Sequence, residues 1–190
     1  EIIDEFVGSE PAWLDQTDAL VYLKGGKMLV RQDKQDIVLS GTDLSIEGFL
    51  ISPTKENIVL ITQVKTVEST ADKYPDLALA SGRIVDDLMY KHWDEWTETA
   101  PQPFVHNMNI EYKHGKIISI SVSHPINILE GTPYESPMKP FGGVEQLAWS
   151  PDGKTLAYTC RKKAGLEYAI STNSDIYLYD IKSKTHSNIT

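Results

Sequence analysis

The residues of this chain best suited to chemistry lie close together. His92-Trp93-Asp94-Glu95-Trp96 sets two indoles around two adjacent carboxylates, and Asp86 and Asp87 stand a few residues earlier. Indole rings can wall a pocket, and carboxylates within it can hold a cation. A plainer reading uses the same residues. Trp93 and Trp96 pin the segment to the body of the protein, and the acids face water, because tryptophan buries a large area wherever it occurs. Asp94, Glu95, Trp93, Trp96 and His92, with Asp86 and Asp87 as alternates, are therefore the binding candidates.

Little else in the chain points to chemistry. His106, His114 and His124 do not have the spacing of a metal pair. Asp152 lacks the carboxylate series of a calcium loop and reads as a turn residue. Ser52 and Ser150 each precede a proline at a hairpin, with no histidine placed beside them by the pattern, so they read as structural. Cys160 follows Ala157-Tyr158-Thr159 and reads as a small strand residue rather than a reactive thiol. No Gly-x-Ser-x-Gly elbow occurs. No catalytic residue, metal site or cofactor is expected in this chain.

Composition narrows the class. The 190 residues are 41% hydrophobic and 24% charged, which suits a packed core rather than disorder. The formal net charge is −9, which disfavours nucleic acid or an anionic membrane as partner. The short basic run Arg161-Lys162-Lys163 reads as a solvated loop. One cysteine precludes an internal disulfide and leaves the compartment open. No apolar run is long enough to cross a bilayer as a helix. The chain starts at Glu1 without a signal sequence and stops at Thr190 just past a strand-like run, so a piece of a longer protein is expected.

The elements that position the aromatic–acidic cluster emerge from an internal repeat. Trp149-Ser-Pro-Asp-Gly-Lys-Thr-Leu-Ala-Tyr158 reads as two strands around a tight turn. Pro151 pre-sets φ, Asp152 bonds its own backbone, and Gly153 accepts a positive φ. Trp13–Tyr22 matches it at the first, eighth and last residues, and Ile51–Leu60 keeps the Ser-Pro and the apolar trio. Units thus start at 13, 51 and 149. The first step is close to the ~40–45 residues of a propeller blade, and the second is far longer.

The fold expected is all-β: a partial β-propeller of about three antiparallel four-stranded blades, near residues 10–45, 46–122 and 143–190. The first blade shows strands at Leu20–Leu23, Met28–Arg31 and Asp36–Leu39 around the Gly25-Gly26 turn. In the second, the β-branched run Asn57–Val64 suits a strand covered on both faces. Strand pattern stops from about 66 to 103, where helices are expected near Tyr74–Ala80 and Ile84–Tyr90, and it returns at Phe104–Tyr112 and Lys116–Val122. This insertion holds the aromatic–acidic cluster. The third blade adds Asp175–Asp180 and an outer strand at Ser187–Thr190.

The blade pattern, with Asp175-Ile-Tyr-Leu-Tyr-Asp180 and Asn188-Ile-Thr190, resembles TolB-type propellers and those of prolyl oligopeptidase-family (S9) serine peptidases. Three further stretches are more specific. Asp87-Leu-Met-Tyr-Lys-His-Trp-Asp-Glu-Trp96, Pro137-Met-Lys-Pro-Phe-Gly-Gly143 and Tyr168-Ala-Ile-Ser-Thr-Asn-Ser-Asp175 resemble the propeller of the dipeptidyl peptidase V group of that family. The resemblance covers nearly the whole chain and is weakest over the first 40 residues. It implies a seven- or eight-bladed propeller over an α/β-hydrolase domain carrying Ser, Asp and His, with peptides as substrates and a periplasmic or secreted location. It implies a non-catalytic role here: gating access and helping to bind the substrate's amino end, with Asp94 and Glu95 facing the α-ammonium. The alternative is a non-enzymatic TolB-like module that binds proteins. Three blades leave two sheet faces bare, so self-association is expected.

Overall fold

In the computed structural model the described residues are 5–14, 18–77, 79, 81–84 and 98–190. They form three four-stranded sheets, each an antiparallel meander in chain order. The first contains β1 (Ser9–Leu14), β2 (Ala19–Lys24), β3 (Lys27–Gln32) and β4 (Gln35–Val38). The second contains β5 (Gly48–Ile51), β6 (Asn57–Lys65), β7 (Thr99–Lys113) and β8 (Lys116–Asn127). The third contains β9 (Leu147–Trp149), β10 (Thr155–Cys160), β11 (Asp175–Asp180) and β12 (Thr185–Asn188). This is the partial propeller expected.

The repeat is written into the strand register. Trp13 pairs with Leu20, Ile51 with Ile58, and Trp149 with Leu156. These are the first and eighth residues of the three sequence units, so the spacing seen in the sequence is a cross-strand pair in each blade. The two Ser-Pro turns close alike. Ser52 Oγ accepts the Asn57 N–H at 3.1 Å, and Ser150 Oγ accepts the Thr155 N–H at 3.0 Å. Asp152 Oδ1 accepts from the Ser150 hydroxyl at 2.6 Å and from the Lys154 N–H at 3.1 Å. All three side chains are thus engaged in turn geometry. Gly153 has φ +68°, and a Cβ on it would lie 2.7 Å from Thr54 Oγ1. The turn of the third sheet therefore packs directly on the turn of the second.

The middle sheet is covered on both faces. Ile58 and Leu60 of β6 join Val21, Met28 and Val30 in one core, while Val59 and Ile61 join Leu156 and Tyr158 in another. Alternate residues of one strand therefore serve two inter-sheet cores, which explains its unbroken β-branched run.

Two strands extend further than their pattern suggests. β7 begins at Thr99 rather than Phe104, running through Pro101 and Pro103. Their carbonyls turn away from β6 to accept the N–H groups of Ser136 and Ile128. In an antiparallel strand a residue's N and C=O point to the same side. The missing proline N–H groups therefore also face away from β6, beyond the last β8 pair, Phe104 with Asn127. The ladder to β6 loses nothing. β8 likewise continues past Val122 to Asn127, carrying Pro125 on an edge strand.

The helix expected from Tyr74 is shorter and earlier. α1 (Thr70–Lys73) is set by Ser69, whose hydroxyl accepts the Asp72 N–H while the Asp72 carboxylate accepts the Ser69 N–H. Pro75 then ends it by excluding Tyr74 from the helical region, leaving a 3₁₀ turn at Pro75–Leu77. The second expected helix, near Ile84–Tyr90, lies outside the described residues from 85 onward. A further short helix, α2 (Leu166–Ile170), forms in the connection between β10 and β11.

Candidate functional site

Each meander has two ends. At one, tight turns join the first strand to the second and the third to the fourth. At the other lie the second-to-third connections and the crossings between sheets. The insertion between β6 and β7, the crossing 128–146 and α2 all belong to this second end. Its neck is closed by one carbonyl: the Thr66 and Val67 N–H groups both donate to Glu98 C=O, at 2.9 and 3.2 Å. The binding candidates Asp86, Asp87, His92, Trp93, Asp94, Glu95 and Trp96 all lie outside the described residues, within 85–97.

Beside the neck, the strand leaving the insertion is fastened to the crossing loop. Ser136 N–H donates to Pro101 C=O at 3.0 Å. Buried Gln102 donates through Nε2 to the carbonyls of Thr132 and Tyr134, at 3.1 and 2.9 Å, and accepts from Asn127 Nδ2 at 2.7 Å. Asn127 Oδ1 in turn accepts the Leu129 N–H at 2.9 Å. A strand amide thus takes the place of sheet pairing where β8 has ended, and sets the loop's path.

This loop presents Glu135, only 3% exposed. Its Oε1 accepts the Tyr168 hydroxyl at 2.6 Å. Tyr168 is the inward residue of α2, and the Arg161 guanidinium lies over its ring, 4.8 Å from the centroid. Burial, then the hydrogen bond and charge of Glu135, push the Tyr168 phenol well above its ordinary value, so it serves as a hydrogen-bond donor. Glu135, Tyr168 and Arg161 join the second and third sheets at the end that carries the insertion. Sequence spacing did not reveal them, because Glu135 and Tyr168 stand 33 residues apart in unrelated local patterns. The one signal was that both belong to, or border, the stretches that carried the family resemblance.

Among the described residues the remaining titratable groups supply no catalytic constellation. Burial raises the Cys160 thiol to about 12, so it stays protonated as a small core group. His106 is buried in β7, whereas His114 and His124 are exposed. His124 Nδ1 lies 3.0 Å from Ser123 Oγ, but its other neighbour is the Asn107 amide rather than an acid. Among the described residues no group of three His, Cys, Asp or Glu side chains is placed to hold a metal.

No protein-family profile matches the chain. It is 49% identical over 143 residues to "Dipeptidyl-peptidase 5" of Porphyromonas gingivalis, covering 75% of this chain and 20% of that protein. It is 39% identical over 191 residues to the protein of the same name from Porphyromonas endodontalis, covering 95% of this chain and 26% of the other. A namesake from Aspergillus fumigatus is 34% identical over 103 residues, covering 53% of this chain and 14% of that one. The chain thus spans 14–26% of the length of these curated relatives. Among solved structures, a putative TolB from Agrobacterium tumefaciens superposes with a TM-score of 0.50 at 14% identity, covering 97% of this chain and 46% of that one. That likeness agrees with the propeller fold. The chain is a β-propeller segment homologous to the dipeptidyl-peptidase 5 family.

Proposed function

We propose that this chain is the non-catalytic propeller segment of a serine dipeptidyl peptidase. It gates access to the active site and helps to bind the amino end of peptide substrates. The observation that carries this reading is 49% identity to a dipeptidyl-peptidase 5 across three quarters of the chain. In the whole protein an α/β-hydrolase domain supplies acyl transfer through serine, histidine and aspartate. The protein works in the periplasm or outside the cell, and this segment alone does not hydrolyse peptides.

Within that reading, Asp94 and Glu95 receive the substrate's α-ammonium, with Asp86 and Asp87 as alternates. His92, Trp93 and Trp96 wall the pocket. The supporting arrangement is the neck at Glu98 and the loop fastened by Gln102, which carry the insertion at one end of the blades. Charge-assisted hydrogen bonds of this kind are worth roughly 1.5–3 kcal/mol, about tenfold or more in binding. Replacing Asp94→Asn and Glu95→Gln in the full-length enzyme should therefore raise KM for free-amine dipeptidyl substrates by that factor and spare amine-blocked ones. Equal effects on both substrate types would remove the ammonium role. Serine-inhibitor-sensitive hydrolysis by the isolated chain would remove the larger reading.

A further inference from the structure

A cleft of about 720 Å³ opens between the first and second sheets. That size lies within the ~300–1,000 Å³ of small-ligand pockets. One wall is the crossing from β4 to β5, including Leu39, Leu44 and Ile46; the other is Phe104 and His106 of β7 with Pro125 of β8. His106 closes the floor. It is 1% exposed, and neither ring nitrogen has a hydrogen-bond partner. A buried imidazole with two orphan nitrogens is costly unless something else satisfies it.

The rim adds backbone donors open to solvent. Ser40 bonds β8 as a single parallel bridge to Ser121, and Gly41 then turns the chain away with φ +86°. Beyond it, the N–H groups of Gly41, Thr42 and Asp43 have no partner among the described residues, until Leu44 N–H donates to Thr42 Oγ1 at 3.2 Å. The site thus combines free backbone donors at its rim, apolar walls, and a neutral imidazole that offers one donor and one acceptor. Lys27 and Asp43 are the charged residues of the lining, one of each sign, so the cleft favours neither an anion nor a cation.

We propose that this cleft is a docking groove for an extended peptide segment. The peptide backbone pairs along Gly41–Asp43, one apolar side chain fills the space between Leu44 and Phe104, and a peptide amide meets His106 after a turn of the ring. Main-chain pairing plus a pocket for one side chain is a general mode of peptide capture. Burial holds the imidazole neutral, which matches a neutral amide. The groove differs from the amino-end site proposed above and asks for no free ammonium.

The test uses the full chain, uniformly labelled with nitrogen-15, and the capped, uncharged tripeptide acetyl-Ala-Leu-Ala-amide. With a Kd of about 1 mM, the peptide should shift the His106 ring-nitrogen resonances and the Thr42 and Asp43 amides. Leu44→Arg, at the rim, should weaken binding at least tenfold without unfolding the protein. His106→Phe should do the same, and Leu44→Arg decides if that variant does not fold. The Asp-centred analogue, acetyl-Ala-Asp-Ala-amide, should bind at least tenfold more weakly. Unmoved His106 nitrogens at saturating peptide, or unchanged binding by Leu44→Arg, would overturn the groove. Shifts confined to residues 92–96 would overturn it too and, because the probe carries no amine, would also count against the ammonium role, whereas a null result leaves that role untouched.

Discussion

Trp149 Nε1–H donates to the Leu50 carbonyl at 3.0 Å, joining the first strand of the third sheet to the first strand of the second. The bond crosses from one blade to the next at the matched position of the repeat. It makes Trp149 a fastener as well as an apolar side chain. Trp149→Phe keeps a ring and deletes the donor, so it should lower stability by about 0.5–1.5 kcal/mol. Trp149→Ala also loses packing and should cost several times more. Urea melts of the two variants check this; a neutral Trp149→Phe would mean that the bond contributes nothing to the junction.

Glu135 and Tyr168 form the corresponding polar tie at the insertion end. Both are buried, so the phenol and carboxyl exchange water for each other. Deleting the hydroxyl by Tyr168→Phe should cost about 1–3 kcal/mol. A double-mutant cycle with Glu135→Ala should give a coupling of about 1 kcal/mol or more. Additive losses would show that the two side chains act separately.

These two ties show what could be read in the sequence. The blades were legible because their determinants are local. Period-two alternation, the Ser-Pro turns and Gly153 each specify structure within ten residues, and the matched pairs Trp13–Leu20, Ile51–Ile58 and Trp149–Leu156 confirm the repeat. The start of β7 was not legible, because Pro101 and Pro103 look like breakers until their carbonyls are seen to face the loop. The Gln102 and Glu135 contacts were not legible either, since each joins residues about 30 apart through side chains with no periodic signature. The aromatic–acidic cluster at 92–96 stood out by its residue types and by its failure to fit the repeat.

His106 makes stability depend on pH in a defined direction. Burial pushes its imidazole below the ordinary 6.5, so folding favours the neutral ring. His186 is shifted the same way, by burial and then by Lys162. A depressed folded value means that the neutral ring's contribution is complete above pH 6.5, the unfolded value. It is lost as pH falls below that value toward the folded one, by at most about 1.4 kcal/mol per pH unit for His106; the exposed His186 contributes less, since solvent screens it. Denaturant unfolding between about pH 7 and pH 5 should show this loss. His106→Phe should flatten the slope, leaving the share due to His186. An identical slope in the variant would exclude His106 as a source.

The two outer sheets predict the protein's association. The face of the third sheet away from the second carries Ala148, Ala157, Thr159, Ile176 and Leu178, since their alternates Leu156, Tyr158 and Tyr177 fill the inter-sheet core. The outer face of the first sheet carries Trp13, 69% exposed, and Val38, 49% exposed. Blades bury such faces against neighbouring blades. Two copies can do this reciprocally, the third sheet of each meeting the first sheet of the other, which closes a dimer and leaves no bare face. Sedimentation at tens of micromolar, roughly the range in which patches of this kind associate, should give a dimer. Ile176→Lys, which charges a residue already 40% exposed, should return it to monomer with little loss of fold. A monomer without substitution would mean that these faces are tolerated in water.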